Sequence, residues 1–426
     1  NTSGVAYSNA TLRRSRCDAA LFILQYQEYT VLNHSVNSPS SRRWFNPLLL
    51  ALVLIGLNMR PLLTSIGPLL PTLRQATGLS FGGAALLTTL PVLMMGLMAL
   101  AGGAINRLFS ERSAVALSLL AIGSGALWRE LAPGSVQLLM SAVLGGLGIG
   151  VIQAVMPGII KHHFLNSMAL VAGLWSAALM GGGGLGAAIT PWLMSAGHDW
   201  HSALAWWALP ALVALLAWWP VSRGLSRLGA AGENRGPSLL RNRRAWLLGA
   251  YFGLINGGYT SLIAWLPPYY MQLGWQPQAS GSLLALMTFG QVVGALLLPA
   301  LARNHDRRPL LLLALMMQLI GFIGLIYLPQ TLPWLWVLVS GLGLGGAFPL
   351  CLVLALDHLH QPAAAAGRLV AFMQGVGFLL AGVTPYLSGL LRDYSGGFVL
   401  DWQIHALLVV VLIAITWRFH PHSYRR

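Results

Sequence analysis

An arginine within a long apolar stretch is the feature of this sequence that most directly suggests chemistry. Arg60 follows the apolar run 45–56, and Asn58 and Pro61 flank it. Pro61 removes a helix hydrogen bond and frees the backbone carbonyl four residues earlier. An arginine at the centre of a membrane helix costs roughly 2.5–3.5 kcal/mol on insertion scales, so it should face a partner or a water-filled cavity. The stretch predicts either a structural arginine or a fixed positive charge that receives an anion.

The positions of the acidic residues favour the second interpretation. By the apolar pattern, all ten fall in loops, in tails or at the ends of apolar spans. Arg60 is therefore the only charge predicted in the membrane core, with no carboxylate there to neutralise it. A lone buried cation favours a mobile anion as its partner. The same distribution argues against an intramembrane carboxylate relay for protons.

Composition places the chain in a membrane. It has 426 residues, of which 56% are apolar and 8% charged, whereas soluble proteins have about 25% charged residues. The net charge is +15, and the basic residues lie mainly between the apolar runs. They are therefore expected to set the orientation of the protein in the membrane rather than to bind nucleic acid. Cys17 and Cys351 lie far apart, so no disulfide framework is implied.

Twelve apolar runs of about twenty residues predict an all-α protein with twelve membrane-spanning helices. They begin near residues 45, 82, 114, 136, 168, 202, 245, 280, 309, 333, 369 and 403. Residues 1–44 are interpreted as a disordered polar tail, which could include sequence upstream of the true start. The remainder divides into a first six-helix bundle (45–221), a basic linker (222–244), a second bundle (245–420) and a basic tail (421–426).

The basic residues predict the orientation. With the N-terminus inside, the outer loops contain only Arg74, Arg129 and Arg392. Positive residues concentrate in cytoplasmic loops. Both termini are therefore predicted to be cytoplasmic.

The two halves resemble each other at a shift of about 200 residues. Four matched pairs in the same order carry this repeat: 106–107 with 306–307, 146–150 with 341–345, 190–193 with 384–387, and 199–200 with 401–402. An even number of spans separates the equivalents, so the repeat is parallel. Such transporters bind substrate near the membrane midplane between the halves.

Asn58, beside Arg60, and polar residues on other spans could complete an anion site. Aligning Thr64 with Thr260 places Asn256 opposite Arg60, with Tyr259 one turn further on. The remaining candidates within apolar spans are Gln153, Gln374 and Trp175. A guanidinium, amide donors and an aromatic wall suit a small anion. The alternative for each amide is an interhelical hydrogen bond worth about 0.6 kcal/mol.

Other motifs favour structural roles. The glycine clusters 146–150, 181–184 and 341–346 lie inside apolar spans, so close helix packing is favoured over nucleotide binding. The histidine pairs 162/163, 198/201 and 358/360 lie in loops without nearby carboxylates or cysteines in metal spacing, and are interpreted as solvated. No metal, cofactor or catalytic set is indicated. A membrane enzyme is therefore disfavoured.

Residues 103–113, GAINRLFSERS, resemble a weakened loop 2–3 signature of the major facilitator superfamily. The resemblance implies a cytoplasmic latch between conformations, formed by Asn106 and Arg107 and, in the second half, by Asp306 and Arg307. Asn106 departs from the acidic residue of the family pattern.

Longer runs resemble the bacterial cyanate permeases within that superfamily. They include LIGLNMRPLLTSIGPLLP (54–71), GLWSAALMGGGGLGAAITPW (173–192) and GLGLGGAFPLC (341–351). The resemblance implies two pseudo-symmetric six-helix bundles in a bacterial inner membrane, a monomeric carrier of a small anion, and a functional link to cyanase. An exporter of a larger, weakly polar compound is the alternative.

The sequence does not determine how transport is coupled to an ion gradient or to a second anion. Moving one negative charge inward against an inside-negative potential costs about 2.3 kcal/mol per 100 mV. We therefore expect either anion exchange or uptake with a proton, carried on the substrate or on a group other than a carboxylate.

Overall fold

The computed structural model describes residues 46–132, 134–164, 167–225, 239–302, 306–357 and 363–420. The predicted tails 1–44 and 421–426 and most of the predicted linker 222–244 lie outside the described residues. The chain separates into two units, residues 1–46 and residues 47–426, and every element below belongs to the second unit.

The described residues form fifteen α-helices and no strand. In chain order they are α1 Pro47–Leu57, α2 Pro61–Thr64, α3 Ile66–Thr77, α4 Phe81–Leu108, α5 Glu111–Trp128, α6 Ser135–His163, α7 Met168–Ser195, α8 Trp200–Ala205, α9 Ala208–Val221, α10 Arg243–Gln272, α11 Pro277–Ala300, α12 Arg308–Tyr327, α13 Pro333–Asp357, α14 Ala363–Ser395 and α15 Val399–Thr416. Helices α1–α3 together form the first predicted span, and α8 and α9 form the sixth.

Eleven of the twelve predicted spans are long and apolar enough to cross a membrane. The remaining one, α10, has 30 residues, which corresponds to about 45 Å at 1.5 Å per residue. Its centre contains Asn256, Tyr259, Thr260 and Ser261, all of which are buried. α10 is more polar than the other spans because so much of it faces the protein interior.

The helix contacts of the first half recur in the second. Among the first six spans, α4 packs on α6, α5 on α6 and α9, and α1 on α7 and α9. The equivalent helices make the same five pairings: α11 with α13, α12 with α13 and α15, and α10 with α14 and α15. Extensive contacts between the halves join α4 to α14 and α7 to α11. These pairings give the predicted pseudo-symmetric fold, while the linker boundaries stay predictions.

Glycines let equivalent helices approach closely in both halves. A Cβ at Gly146 or Gly150 of α6 would meet the α4 backbone at 2.5 or 2.8 Å. In the second half, a Cβ at Gly341 or Gly345 of α13 would overlap backbone carbonyls of α11. The predicted role of these clusters in close helix packing is confirmed.

Candidate substrate-binding cavity

Arg60 lies at a break in the helix of the first span. α1 ends at Leu57, and the amides of Asn58 and Met59 donate to carbonyls only three residues earlier, at 3.0 and 3.1 Å. Pro61 then starts α2 at a position where its missing N–H leaves no donor unsatisfied. Arg60 lies between the two helices, so its side chain leaves the span where the helix is interrupted.

Asn58, a predicted binding residue, stabilises this break. Its side-chain NH₂ donates to the Leu54 carbonyl at 2.8 Å and to the Pro210 carbonyl of α9 at 3.1 Å. Asn58 is not among the described residues that line the cavity below. The structure therefore does not bring it together with the other candidates.

Two further residues support the interrupted span. Gly182 of α7 lies against the Leu57 carbonyl, where a Cβ would overlap it. The Arg129 guanidinium donates to the Leu62 carbonyl at 3.2 Å and to the Ser141 hydroxyl at 3.3 Å. Arg129 lies in the connection between α5 and α6, as predicted, but its side chain turns inward and is fully buried. Counting basic residues by loop did not predict that Arg129 supports the interrupted span.

A cavity of about 250 Å³ lies next to Arg60 and is lined by both halves of the chain. Six of the seven predicted binding residues line it: Arg60, Gln153, Trp175, Asn256, Tyr259 and Gln374. Most of the other lining side chains are apolar, including those of Met180, Leu344 and Phe348. A mainly apolar cavity with a few converging polar groups is the usual form of a small-molecule site.

Arg60 supplies a positive charge that no ion pair among the described residues neutralises. The residue is 4% exposed, and its Nε has no hydrogen-bond partner. None of the ion pairs between described residues involves it. Its guanidinium carbon lies 5.2 Å from the centre of the Tyr259 ring, a cation–π contact that leaves the charge in place. This arrangement suits an anionic ligand.

The polar lining includes two residues that sequence reasoning missed, Ser176 and Gln291. Gln291 of α11 is 2% exposed, and its Oε1 lacks a hydrogen-bond partner, as does the Oε1 of Gln153 on α6. The NH₂ group of Asn256 donates to the Phe252 carbonyl at 2.8 Å. Gln291 could have been predicted from the sequence, because it is an amide in an apolar span, like Gln153.

Arg60 is not the only buried charge, although the others lie at the ends of spans, where they were predicted. Besides Arg129, Asp401 in the first turn of α15 is 4% exposed and lies 3.6 Å from His405. A carboxylate at the end of a span can still turn inward, and the apolar pattern does not reveal this. Arg60 is nevertheless the charge that lines the cavity.

Of the two histidines at 162 and 163, His162 is exposed, as predicted, whereas His163 is half-buried and has a carboxylate beside it. His163 Nε2 lies 2.9 Å from the carboxylate of Glu111, whose side chain is buried. The contact joins the end of α6 to the start of α5, far apart in sequence but adjacent in space. His201, in contrast, is a half-exposed residue 3.3 Å from Asp199.

The predicted latch residues of the second half have identifiable partners. The Asp306 carboxylate accepts hydrogen bonds from Arg308 Nε at 3.0 Å and Nη2 at 2.7 Å, and these hold the pKa of Asp306 below its ordinary value. Arg307 donates to the Ala302 carbonyl at 2.7 Å. In the first half, Asn106 has a buried Oδ1 without a hydrogen-bond partner, and Arg107 lies in the last turn of α4.

A hydrogen-bonded bridge joins the halves at the N-terminal end of α4, away from Arg107. The Asp393 carboxylate of α14 accepts hydrogen bonds from the backbone amides of Phe81 and Gly82, at 3.1 and 2.9 Å. A carboxylate at the N-terminus of α4 also complements the helix dipole. We call this side the opposite face, and the side with Arg107, Lys161 and Arg308 the basic face.

The chain matches the family model described as Major Facilitator Superfamily over residues 48–385. It therefore belongs to this superfamily, and it is a multi-pass membrane transporter rather than an enzyme.

Two relatives and one solved structure illustrate the similarity. The chain is 63% identical to the cyanate transport protein CynX of Escherichia coli (strain K12), over 88% of the chain and 97% of that protein. It is 29% identical to the 2-nitroimidazole transporter of the same organism, over 86% of the chain and 92% of that protein. The crystal structure of a D-xylose-proton symporter superimposes with a TM-score of 0.70 at 17% identity, over 88% of this chain and 97% of that one, and supports the fold alone.

Proposed function

We propose that this protein is a secondary transporter that carries cyanate, or a similar small monoanion, across the bacterial inner membrane. The observation that carries the proposal is Arg60, a buried guanidinium in a cavity shared by both halves and without a carboxylate partner in the described part of the chain. Gln153, Asn256 and Gln374 supply amide groups, and Tyr259 and Trp175 form aromatic walls. The 63% identity to a cyanate transport protein supports the choice of substrate.

The size of the cavity bears on the alternative substrate class. Its volume of about 250 Å³ compares with about 30 Å³ for one water molecule in the liquid. A triatomic anion would therefore enter together with several waters. A larger, weakly polar compound would also fit, but the relative that transports 2-nitroimidazole is only 29% identical. Cyanate is therefore the favoured substrate.

Transport would occur by alternating access between the halves. Cavity-lining residues such as Ile160 and Met168 reach the basic-face ends of α6 and α7, whereas Asp393 bridges the halves at the opposite face. These features support a cavity that opens toward the basic face. The excess of arginine there supports a cytoplasmic location for that face and for both termini. We further propose a monomeric functional unit and a metabolic link to cyanase.

Uptake of labelled cyanate into proteoliposomes tests the proposal. We expect saturable uptake by the wild type and an Arg60→Ala variant that folds but transports at least about tenfold more slowly, because a hydrogen bond to a charged group contributes about 1.5–3 kcal/mol. Arg60→Lys should be nearly as impaired if the anion is bound by two parallel hydrogen bonds.

Arg74→Ala is the matched control, since Arg74 is an arginine of the same span that does not line the cavity. It should transport like the wild type. Uptake by Arg60→Ala at the wild-type rate would contradict the anion site. If the wild type transports 2-nitroimidazole and not cyanate, the alternative substrate class is correct.

A further inference from the structure

A buried carboxyl–imidazole pair lies on α15, outside the cavity. Asp401 and His405 are one helical turn apart, so their side chains share a face. Asp401 Oδ1 lies 3.6 Å from His405 Nε2, and each residue is 4% exposed. The second oxygen, Asp401 Oδ2, has no hydrogen-bond partner. A buried carboxylate with so few partners is costly unless it is neutralised.

The surroundings supply no second charge for this pair. The Phe322 ring of α12 stacks on the imidazole of His405, with ring centres 5.6 Å apart. Ser388 of α14 faces the carboxyl, and the nearby Tyr269 of α10 donates its hydroxyl to a backbone carbonyl of α12. In the part of the chain that the structure describes, no other acid or base contacts either member of the pair. A proton is therefore the ligand that would neutralise it.

α10 connects the pair to the anion cavity. A Cβ built on Gly258 would lie 4.0 Å from His405 Nδ1. The next residue, Tyr259, projects from a different face of α10, and its ring centre lies 5.2 Å from the guanidinium carbon of Arg60. One short stretch of α10 thus contacts both sites, so a shift of this helix would change the geometry of both.

We propose that Asp401 and His405 form a proton-binding site that couples anion transport to proton movement in the same direction. This inference rests on the proposed function, because it assigns the coupling ion of that carrier. The charges of the two sites explain the coupling. Arg60 contributes +1, and the pair contributes −1 when Asp401 is ionised and His405 is neutral.

Only two loading states of the carrier then leave these sites without net charge. With neither ligand bound, the two charges cancel across α10. With both ligands bound, the anion neutralises Arg60 and the proton neutralises the pair. With one ligand alone, an uncompensated charge stays buried in the protein, where it is costly. Conformational exchange is therefore favoured for the empty and the fully loaded carrier, which is the rule for symport.

The cycle is balanced in charge and protons. A proton from the more acidic side binds to the Asp401 carboxylate or to the imidazole nitrogen of His405, and the same proton leaves on the other side. No bond to the substrate forms or breaks. One proton moves with one monoanion, so the step is electroneutral and the membrane voltage does not oppose it.

Two measurements on reconstituted full-length protein test the coupling with labelled cyanate as the probe. The first is accumulation driven by an inward gradient of one pH unit at zero voltage, which for one proton gives at most about tenfold accumulation. The second is exchange of internal for external cyanate at equal pH, which requires no net proton movement. We expect Asp401→Asn to lose the accumulation and keep the exchange.

Asp199→Asn is the matched control. Asp199 is the repeat equivalent of Asp401, but its side chain is 59% exposed and caps α8 through the Ser202 amide. This variant should accumulate cyanate like the wild type. Wild-type accumulation by Asp401→Asn would overturn the proposal, and loss of both activities in folded Asp401→Asn would show a structural role instead.

A measurement on the unmodified protein avoids any folding defect of the variants. An inward cyanate gradient at equal starting pH should acidify the vesicle interior, reported by a trapped pH-sensitive dye. Measurable exchange without acidification would overturn the coupling alone and leave the proposed function intact. Absence of cyanate exchange by the wild type would overturn the proposed function, and the coupling with it.

Discussion

The first and seventh spans occupy equivalent positions in the repeat but differ in backbone structure. The first is interrupted at residues 58–60 and again at Ser65, whereas α10 runs without a break from Arg243 to Gln272. In α10, the amide of Asn256 turns back onto a carbonyl of its own helix at 2.8 Å. In the first span, Asn58 makes the same kind of bond to Leu54 and also reaches across to α9. The interrupted span presents the charge, and the continuous span forms the wall that faces it.

This difference shows how a pseudo-symmetric bundle forms an asymmetric site. Pro61 deprives the first span of one backbone donor, and neighbouring helices then stabilise the interrupted backbone. Arg129 donates to the Leu62 carbonyl, and Gly182 leaves space beside Leu57. The equivalent part of α10 contains no proline, since its two prolines, Pro267 and Pro268, lie near its end. The proposed anion site therefore depends on the backbone of one half.

The strongest test of this comparison exchanges the two equivalent residues. We expect the double variant Arg60→Asn/Asn256→Arg to transport cyanate about 10- to 100-fold more slowly than the wild type, since a charge-assisted hydrogen bond contributes about 1.5–3 kcal/mol. The guanidinium would then leave an unbroken helix and point differently into the cavity. Initial uptake rates in proteoliposomes measure this. Faster uptake by the double variant than by Arg60→Asn alone would mean that the two positions are interchangeable.

A smaller effect is expected where α7 supports the interrupted span. Gly182→Ala places a methyl group against the Leu57 carbonyl, and such overpacking typically destabilises a protein by about 1–3 kcal/mol. The neighbouring variant Gly181→Ala is the control, because the nearest atom to its Cβ would be 3.9 Å away. Thermal unfolding in detergent should show a lower midpoint for Gly182→Ala only. Equal midpoints would show that the backbones at the break can separate at little cost.

The sequence predicted the spans and most of the cavity because both follow from where polar groups interrupt apolar runs. Arg60 and Gln153 are conspicuous in apolar surroundings, and the repeat related Asn256 to Arg60. Side-chain direction was not predictable in the same way. Asn58 adjoins the break yet turns to α9, and Arg129 ends a span yet turns inward. Hydropathy predicts that a residue lies in a span, but it does not predict how the helix is rotated and therefore which way the side chain points.

The pair Asp401 and His405 shows a second kind of limit. Their i,i+4 spacing is visible in the sequence and predicts a shared helix face. Whether that face meets water or the interior depends on how α15 packs on α12, which brings Phe322 onto the imidazole. The repeat was misleading here, because the equivalent Asp199 is exposed. Equivalent residues in the two halves have different surroundings.

The smallest predicted effect concerns the loops after the second and eighth spans, where Asn106 corresponds to Asp306. Hydrogen bonds from the Arg308 side chain lower the pKa of Asp306. Because the folded-state pKa is lowered, this contribution to stability is fully present above the ordinary aspartate pKa of about 3.9 and is lost as the pH falls through the folded-state value. Since the pair is partly exposed, we expect Asp306→Asn to cost about 0.5 kcal/mol near pH 7.

Thermal unfolding in detergent at a series of pH values measures this difference. The midpoints of Asp306→Asn and the wild type should converge at acidic pH, where the carboxyl is protonated in both the folded and the unfolded wild type. Asn106→Ala is the control from the first half, and its difference from the wild type should not vary with pH, because an amide does not titrate. A constant difference for Asp306→Asn would mean that Asp306 acts through packing, and that the two loops differ in shape rather than in charge.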